Sequence, residues 1–80
     1  MKLPRDLSGA RLASALAVLG YRQTRQTGSH IRLTTMVNGE HHLTIPNHDP
    51  IKIGTLNAIM RDVAQHTGLQ RDEVVRRLFG

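Results

Sequence analysis

The first apolar pattern in the chain is a helical stripe near its start. Leu12, Leu16 and Leu19 recur at i, i+4 and i+7, which is the spacing of one face of a helix. Ser8 is suited to cap such a helix at its N-terminus, and Gly20 is suited to end it. The pattern therefore predicts an amphipathic helix between these two residues.

Three β-prone segments follow this helix. Residues 21–27 are polar but rich in Thr and Gln, whereas residues 30–36 and 41–45 contain alternating apolar and polar positions. Residues 28–29, Gly and Ser, suit a tight connection between the first two segments. The Asn-Gly pair at 38–39 favours a type I′ hairpin turn, in which both central residues have positive φ. The pattern predicts three antiparallel strands.

A proline-containing loop, residues 46–54, separates the strands from a second helical pattern. Thr55 is predicted to cap this helix, and the Thr67-Gly68 pair is predicted to end it. Its apolar stripe consists of Leu56, Ile59, Met60 and Val63. A short third helix is predicted from about Arg71, with acids in its first turn and arginines in its last, as the helix dipole favours.

This order of elements predicts an α+β fold for a single domain over residues 1–80. Both long helices need a surface for their apolar stripes, and only one face of a three-stranded antiparallel sheet is available to them. The other face is left to solvent or to a ligand. The α-β-β-β-α order with a short C-terminal helix is that of the double-stranded-RNA-binding domain, although architecture alone does not define a function.

The charge of the chain narrows its possible partners. Eleven Lys and Arg against six Asp and Glu give a net charge of +5, with five His in addition. A small domain this basic favours RNA, DNA or an acidic protein surface as its partner, although a basic domain without such a partner is also possible. No Cys is present, which excludes a disulfide and a thiol nucleophile and fits the cytoplasm. No apolar run is long enough to span a membrane.

Strand alternation predicts which side chains face away from the helices. Ile31 and Leu33 are expected to point inward, while His30, Arg32 and His42 are expected to share the outer face. The loop bearing His48 and Lys52 is expected nearby. For the first strand, the alternation leaves open whether Arg25 or Arg22 lies on this outer face.

A histidine beside arginines suits the cleavage of an RNA phosphodiester. In that reaction the 2′-hydroxyl loses a proton and the 5′-oxygen gains one, and an imidazole with a pKa near ~6.5 can perform either transfer. An arginine can stabilise the negative charge that develops on the phosphate. Physical reasoning alone nevertheless ranks catalysis by His30 behind simple nucleic-acid binding, because most surface histidines take no part in catalysis.

Other roles for these residues are less favoured. His41 and His42 are adjacent in a strand and face opposite sides, and the remaining histidines lack a partner carboxylate or Cys at firm spacing, so no metal or cofactor is expected. Ser29 and His30 are expected to point in opposite directions, so Ser29 is assigned to the turn rather than to a Ser-His pair. His66 is explained by the dipole of its helix.

Four segments together resemble the HicA family, small ribonuclease toxins (mRNA interferases) of bacterial toxin-antitoxin pairs. They are the helix "SGARLASALAVLGY", the turn "RQTGSH", the segment "LTIPNH" and the helix "GTLNAIMRDV". The resemblance implies the double-stranded-RNA-binding fold. It also implies that His30 is the catalytic residue and that His48 has a supporting role.

The resulting hypothesis is a metal-independent endoribonuclease that cleaves mRNA, arrests translation and is neutralised by an acidic HicB-like antitoxin covering the His30 face. The residues expected to contact RNA are Arg25, Arg32, Lys52, Ser29 and His48. The free protein is expected to be a cytoplasmic monomer, because both helix stripes are used internally and no second apolar face remains. A non-catalytic RNA-binding module and a subunit that binds only an acidic protein remain as alternatives.

Overall fold

A computed structural model of the chain describes residues 3–80 and confirms the α+β architecture with the order α-β-β-β-α. The three strands form one antiparallel sheet in the order β1-β2-β3. The elements are α1 (Gly9–Ala15), β1 (Arg22–Gln26), β2 (His30–Thr35), β3 (His41–Pro46), α2 (Ile53–Thr67) and α3 (Arg71–Phe79).

The first helix begins and ends where the sequence predicts. The Ser8 hydroxyl accepts a hydrogen bond from the Arg11 N–H at 3.1 Å, which satisfies one of the free donors of the first turn. The chain then tightens into a 3₁₀ helix at Leu16–Leu19. Gly20 ends it with a φ of 87°, a left-handed conformation that costs glycine little.

Burial along the strands shows that the helices cover one face of the sheet. Ile31 and Leu33 of β2 are buried, as are Leu43 and Ile45 of β3, while the intervening side chains are more exposed. This confirms the predicted alternation for both strands. All five residues of β1 are exposed, so the helices do not extend over this edge strand.

The hydrophobic core lies between the covered face of the sheet and the helices. The predicted stripe of α2 is buried, and Val74 and Val75 of α3 are fully buried as well. Side chains of this size stabilise the fold by about 1.5–3 kcal/mol each when fully buried. Among residues 3–80 no helix has the length and apolar character needed to cross a membrane.

The start of α2 differs from the prediction. The helix begins at Ile53, so Thr55 lies within its first turn and the N-cap is Lys52, whose side chain makes no capping hydrogen bond. The cause lies just upstream, where Ile51 is buried and its N–H donates to the carbonyl of Leu7 at 2.8 Å. The burial of Ile51 and its hydrogen bond to Leu7 fix the direction in which the backbone leaves the loop, and the helix starts immediately after them.

The connection between β2 and β3 is longer than a two-residue hairpin. Asn38 and Gly39 both have positive φ, 64° and 98°, as predicted. The last cross-strand pair is Thr35 with His41, so residues 36–40 form the loop. Thr35 stabilises the longer loop because its hydroxyl accepts the Val37 N–H at 3.1 Å. At the other end, β3 extends to Pro46.

The basic end of α3 is partly neutralised within the helix. Arg76 and Arg77 both donate hydrogen bonds to the carboxylate of Glu73. The hydrogen bond from Arg76, and secondly the one from Arg77, lowers the pKa of Glu73 to about 2. The single carboxylate compensates only one of the two positive charges, so the end of α3 remains basic.

Apolar surface remains outside the core. Val18, Met36 and Val37 are each more than 60% exposed, and Val18 and Val37 line one shallow cavity beside the 3₁₀ helix. Ile53 at the start of α2 is exposed to a similar degree. These exposed side chains lie at element ends and in the hairpin loop, whereas the stripe of α2 is buried in the core.

Candidate nucleic-acid interface

The helices leave one face of the sheet uncovered, and we call it the open face. Its position follows from strand pairing, because residues directly opposite each other in neighbouring strands point to the same side. The side chains on it come from all three strands: Arg22, Thr24, Arg25, His30, Arg32, Thr34, His42 and Thr44.

An irregularity in β1 brings two arginines to the open face. Arg22 lies opposite Thr34, and Arg25 lies opposite Arg32, with the register shifting between Gln23 and Arg25. Strict alternation would place residues 22 and 25 on different sides, but the extra residue of a β-bulge restores both to one side. The sequence left Arg22 and Arg25 as alternatives; the structure places both on the open face.

The arginines of the open face lack acidic partners. Among residues 3–80, none of the ion pairs involves Arg22, Arg25 or Arg32. Arg25 and Arg32 are cross-strand neighbours, a position at which like charges are unfavourable. The open face is therefore a concentration of uncompensated positive charge that an anion would neutralise.

His30 is the first residue of β2, next to this positive charge. Its backbone N–H donates to the Thr27 hydroxyl at 3.2 Å, and its carbonyl accepts the Thr27 N–H at 2.9 Å. On the other side, the Asn47 N–H donates to the Ser29 carbonyl at 2.9 Å. These bonds fix the backbone of the turn between β1 and β2, while the His30 side chain stays exposed to solvent.

Ser29 and His30 form the side-chain pair that the sequence argued against. The Ser29 Oγ lies 3.0 Å from Nδ1 of the His30 ring, within hydrogen-bond distance. The expectation failed because Ser29 precedes β2 and belongs to the bend, so the alternation of an extended strand does not apply to it. The pair leaves Nε2 of His30 as the ring nitrogen available to a ligand.

The second imidazole of the open face belongs to a separate polar network. The ring of His42 contacts the Thr34 hydroxyl through Nδ1 at 2.8 Å and the Glu40 carboxylate through Nε2 at 2.7 Å. Thr34 lies opposite His42 and four residues after His30, so the two histidines are separated by roughly 13 Å along the sheet. They cannot both reach one phosphodiester.

The remaining predicted contact residues lie in the loop after β3. His48 is exposed, and its carbonyl accepts the Gly9 N–H at 2.9 Å, next to the Asn47–Ser29 bond. This places the backbone of residue 48 beside the His30 turn. Lys52 is exposed at the N-cap of α2, and among the described residues no side-chain hydrogen bond or ion pair ties it to the open face.

Another cluster of polar rings lies on the covered side of the sheet. His41 contacts the Tyr21 hydroxyl at 2.8 Å and Asp62 at 3.1 Å, and its ring stacks on His66 at 4.3 Å. Burial, and secondly the charge of Asp62, raise the pKa of Tyr21 to about 12. The phenol therefore holds its proton more tightly than a free tyrosine does.

His66 has a wider role than the helix dipole suggested, because its ring also contacts the Val37 carbonyl at 2.9 Å. The cluster therefore joins α2 to the start of β1, to β3 and to the hairpin loop. Sequence reasoning missed it because its members are up to 45 positions apart. In the described part of the chain no three His, Cys, Asp or Glu side chains are grouped so as to hold a metal ion.

A comparison with protein families gives one match that covers most of the chain. Residues 9–64 match the family described as "HicA toxin of bacterial toxin-antitoxin". The chain belongs to the HicA family. The match runs from α1 to near the end of α2, so the open face and the His30 turn lie entirely within the HicA region, whereas α3 follows it.

Membership in the HicA family makes the chain a toxin of a toxin-antitoxin system, with an antitoxin as its expected partner. The resemblance inferred from the sequence is thereby confirmed. No curated protein and no solved structure gave a significant match to the chain.

Proposed function

We propose that this HicA-family toxin is an endoribonuclease that cleaves mRNA without a metal ion and uses His30 as its acid-base catalyst. The observation that carries the proposal is the placement of an exposed imidazole near Arg32 and Arg25, which have no acidic partner among the described residues. Arg22 lies farther along the same face, opposite Thr34. A phosphodiester is the ligand that needs both features, because its cleavage requires proton transfer and stabilisation of added negative charge.

The chemistry follows from the free nitrogen of His30. Nε2 accepts the proton of the ribose 2′-hydroxyl, and the resulting oxygen attacks the adjacent phosphorus. The bond from phosphorus to the 5′-oxygen then breaks, and that oxygen takes up the proton held by the His30 imidazolium, directly or through a water molecule, so the ring returns to its neutral form. The products are one strand ending in a 2′,3′-cyclic phosphate and another beginning with a 5′-hydroxyl.

Binding of the RNA is assigned to the charge of the open face. Arg32 is two residues from His30 on the same side of β2, roughly 7 Å away, so it reaches the reacting phosphate or its neighbour. Arg25 and Arg22 extend the positive surface across β1. Ser29, His48 and Lys52 are assigned supporting contacts with the RNA at its edge.

The partner that silences the toxin is proposed to be a HicB-like antitoxin with an acidic contact surface. Such a surface would neutralise the arginines and cover His30 together, so inhibition and RNA binding would exclude each other. We further propose that the free toxin is a monomer that acts in the cytoplasm, where its mRNA substrate is.

One observation favours a non-catalytic RNA-binding module as the second candidate. His42 lies too far from His30 to serve as the second proton-transfer group, so the strands of the open face supply one imidazole there, and His48 of the adjoining loop is assigned only a supporting contact. The arginines and threonines of the face would bind RNA equally well without cleavage. The two candidates differ in whether pure protein converts RNA into products.

The test is incubation of the purified protein with a single-stranded RNA in the presence of EDTA. Cleavage is expected, with cyclic-phosphate ends, and the same oligonucleotide built from 2′-deoxynucleotides should remain intact although it binds. Retained binding of RNA with no cleavage at any enzyme concentration would favour the binding module. Cleavage that EDTA abolishes would contradict the metal-independent mechanism.

A further inference from the structure

We propose that Ser29 is a positioning residue that fixes the ring orientation and tautomer of His30. The inference rests on the proposed function, because it concerns how the imidazole is prepared for proton transfer. It starts from the 3.0 Å contact between Ser29 Oγ and His30 Nδ1, which strand alternation would not have produced.

The geometry of the turn makes this contact specific. The Ser29 backbone is fixed because its carbonyl accepts the Asn47 N–H, and the His30 backbone is fixed by its three hydrogen bonds to Thr27. Within residues 3–80, no other hydrogen bond is made by the Ser29 hydroxyl or by the His30 ring. The two side chains therefore have each other as hydrogen-bond partners. The backbone of the turn is held by other hydrogen bonds, so it does not depend on the contact between Ser29 and His30.

The chemical consequence is a choice between two tautomers. A neutral imidazole that donates Nδ1–H to Ser29 Oγ has its lone pair on Nε2, which is the nitrogen directed to the substrate. After Nε2 takes the proton of the 2′-hydroxyl, the ring is an imidazolium that still donates Nδ1–H to the same hydroxyl. One acceptor thus serves His30 before and after proton transfer, without any rearrangement.

The role is one of orientation and not of nucleophilic attack. Ser29 has no base on its other side, and the imidazole that it contacts is the group assigned to the substrate. Loss of an outer partner of a functional histidine at metal sites costs roughly 10–100-fold in activity. For the loss of an exposed neutral hydroxyl we expect the lower end of this range, a roughly tenfold loss of activity.

The experiment compares the wild-type protein with Ser29→Ala and Ser29→Thr. Threonine keeps the hydroxyl, and Ser29 does not have the positive φ that would exclude a branched side chain. The first readout is the pH dependence of RNA cleavage. The second is the tautomer of His30 from the nitrogen chemical shifts of its ring, which requires no activity and no RNA.

The inference predicts that Ser29→Ala slows cleavage roughly tenfold and reduces the population of the Nδ1–H tautomer. Ser29→Thr should restore both to nearly the wild-type level. A slow Ser29→Ala variant with an unchanged tautomer and an unchanged pH profile would overturn the inference and indicate a direct RNA contact. Equal loss in both variants would overturn it in favour of a role in turn shape.

The outcomes also separate this inference from the proposed function. A wild-type protein that cleaves RNA, together with a Ser29→Ala variant that is equally fast, overturns the positioning role and leaves the proposed function standing. A wild-type protein that binds RNA without cleaving it overturns the proposed function, and the tautomer of His30 in Ser29→Ala then decides separately whether Ser29 positions the ring.

Discussion

Arg25 of β1 lies directly opposite Arg32 of β2 on the open face of the sheet. Cross-strand neighbours are close enough for like charges to destabilise the sheet, and among the described residues neither arginine has an acidic partner. An anion that binds between the two side chains would offset the repulsion between their positive charges. The strand pairing thus places two positive charges where a phosphate of the proposed RNA ligand would bind.

Replacing either arginine of this pair by glutamine should weaken RNA binding in a salt-dependent way. Each lost phosphate contact is expected to reduce the salt slope for single-stranded RNA by roughly 0.7. Titrations of RNA at several salt concentrations measure the slope. Arg77→Gln is the matched control, because Arg77 is paired with Glu73 on α3, and it should leave the slope unchanged. An equal effect of all three variants would contradict the assignment.

Gly9 should not tolerate even a methyl group. A Cβ at this position would lie 2.0 Å from the Pro46 carbonyl oxygen, so α1 or the end of β3 would have to move. We expect Gly9→Ala to lower the free energy of unfolding by about 1–3 kcal/mol, as overpacking does. Denaturant unfolding measures the loss.

Gly54 provides the control for this substitution. It lies in the first turn of α2, and a Cβ there would meet nothing within 4 Å. Gly54→Ala should therefore be neutral or stabilise the protein by up to about 1 kcal/mol, because alanine favours the helix. If Gly9→Ala is as stable as Gly54→Ala, the close packing of α1 on Pro46 is wrong.

The single tyrosine should titrate at a higher pH than a free tyrosine. Burial, and secondly Asp62, raise the pKa of Tyr21 from 10 to about 12, so the folded protein holds the phenol proton more tightly than the unfolded chain. This difference in pKa contributes to the free energy of unfolding. The contribution is fully present below pH 10 and is lost as the pH rises from 10 towards 12. The ultraviolet absorbance of the phenolate reports the titration without interference, because the chain has one Tyr and no Trp.

Asp62→Asn tests the second cause of this shift. Removing the carboxylate charge should lower the pKa of Tyr21 but leave it above 10, because burial is the larger cause. A wild-type tyrosine that titrates at its ordinary pKa would show that the burial of Tyr21 does not persist in solution.

Much of the fold was predictable because periodicity and turn residues agree with each other. The apolar stripes of α1 and α2 and the inward positions of β2 and β3 follow from spacing alone, and Gly20 and Gly68 end their helices as expected. The HicA assignment followed from the order of short motifs. These features depend on neighbours within a few positions along the chain, which a sequence displays directly.

The less predictable features depend on contacts between distant positions or on local irregularities. The shift between Gln23 and Arg25 has no sequence signal, since both sets of alternating residues in β1 are polar. The Ser29–His30 contact depends on where β2 begins, to within one residue. Thr55 was a reasonable cap by type, but the burial of Ile51 decided where α2 starts.

Antitoxin binding should protect the open face. In a complex with the proposed antitoxin, amide hydrogen exchange is expected to slow at residues 25–35 and 41–48 relative to the free toxin. Residues 71–79 of α3 lie away from this face and should exchange at similar rates in both states. Unchanged exchange in the first two segments would mean that the antitoxin acts elsewhere.

The most direct test of the account compares two histidines on the same face. His30→Ala and His42→Ala both remove an exposed imidazole. His30→Ala should change the free energy of unfolding by only about 0.5 kcal/mol. His42→Ala also removes the contacts with Thr34 and Glu40 and should cost about 0.5–1.5 kcal/mol for each of them. The measurement is the rate of RNA cleavage by each purified variant in EDTA. We expect His30→Ala to abolish cleavage and His42→Ala to retain most of it. A His30→Ala protein that is folded and cleaves RNA at the wild-type rate would contradict the central claim.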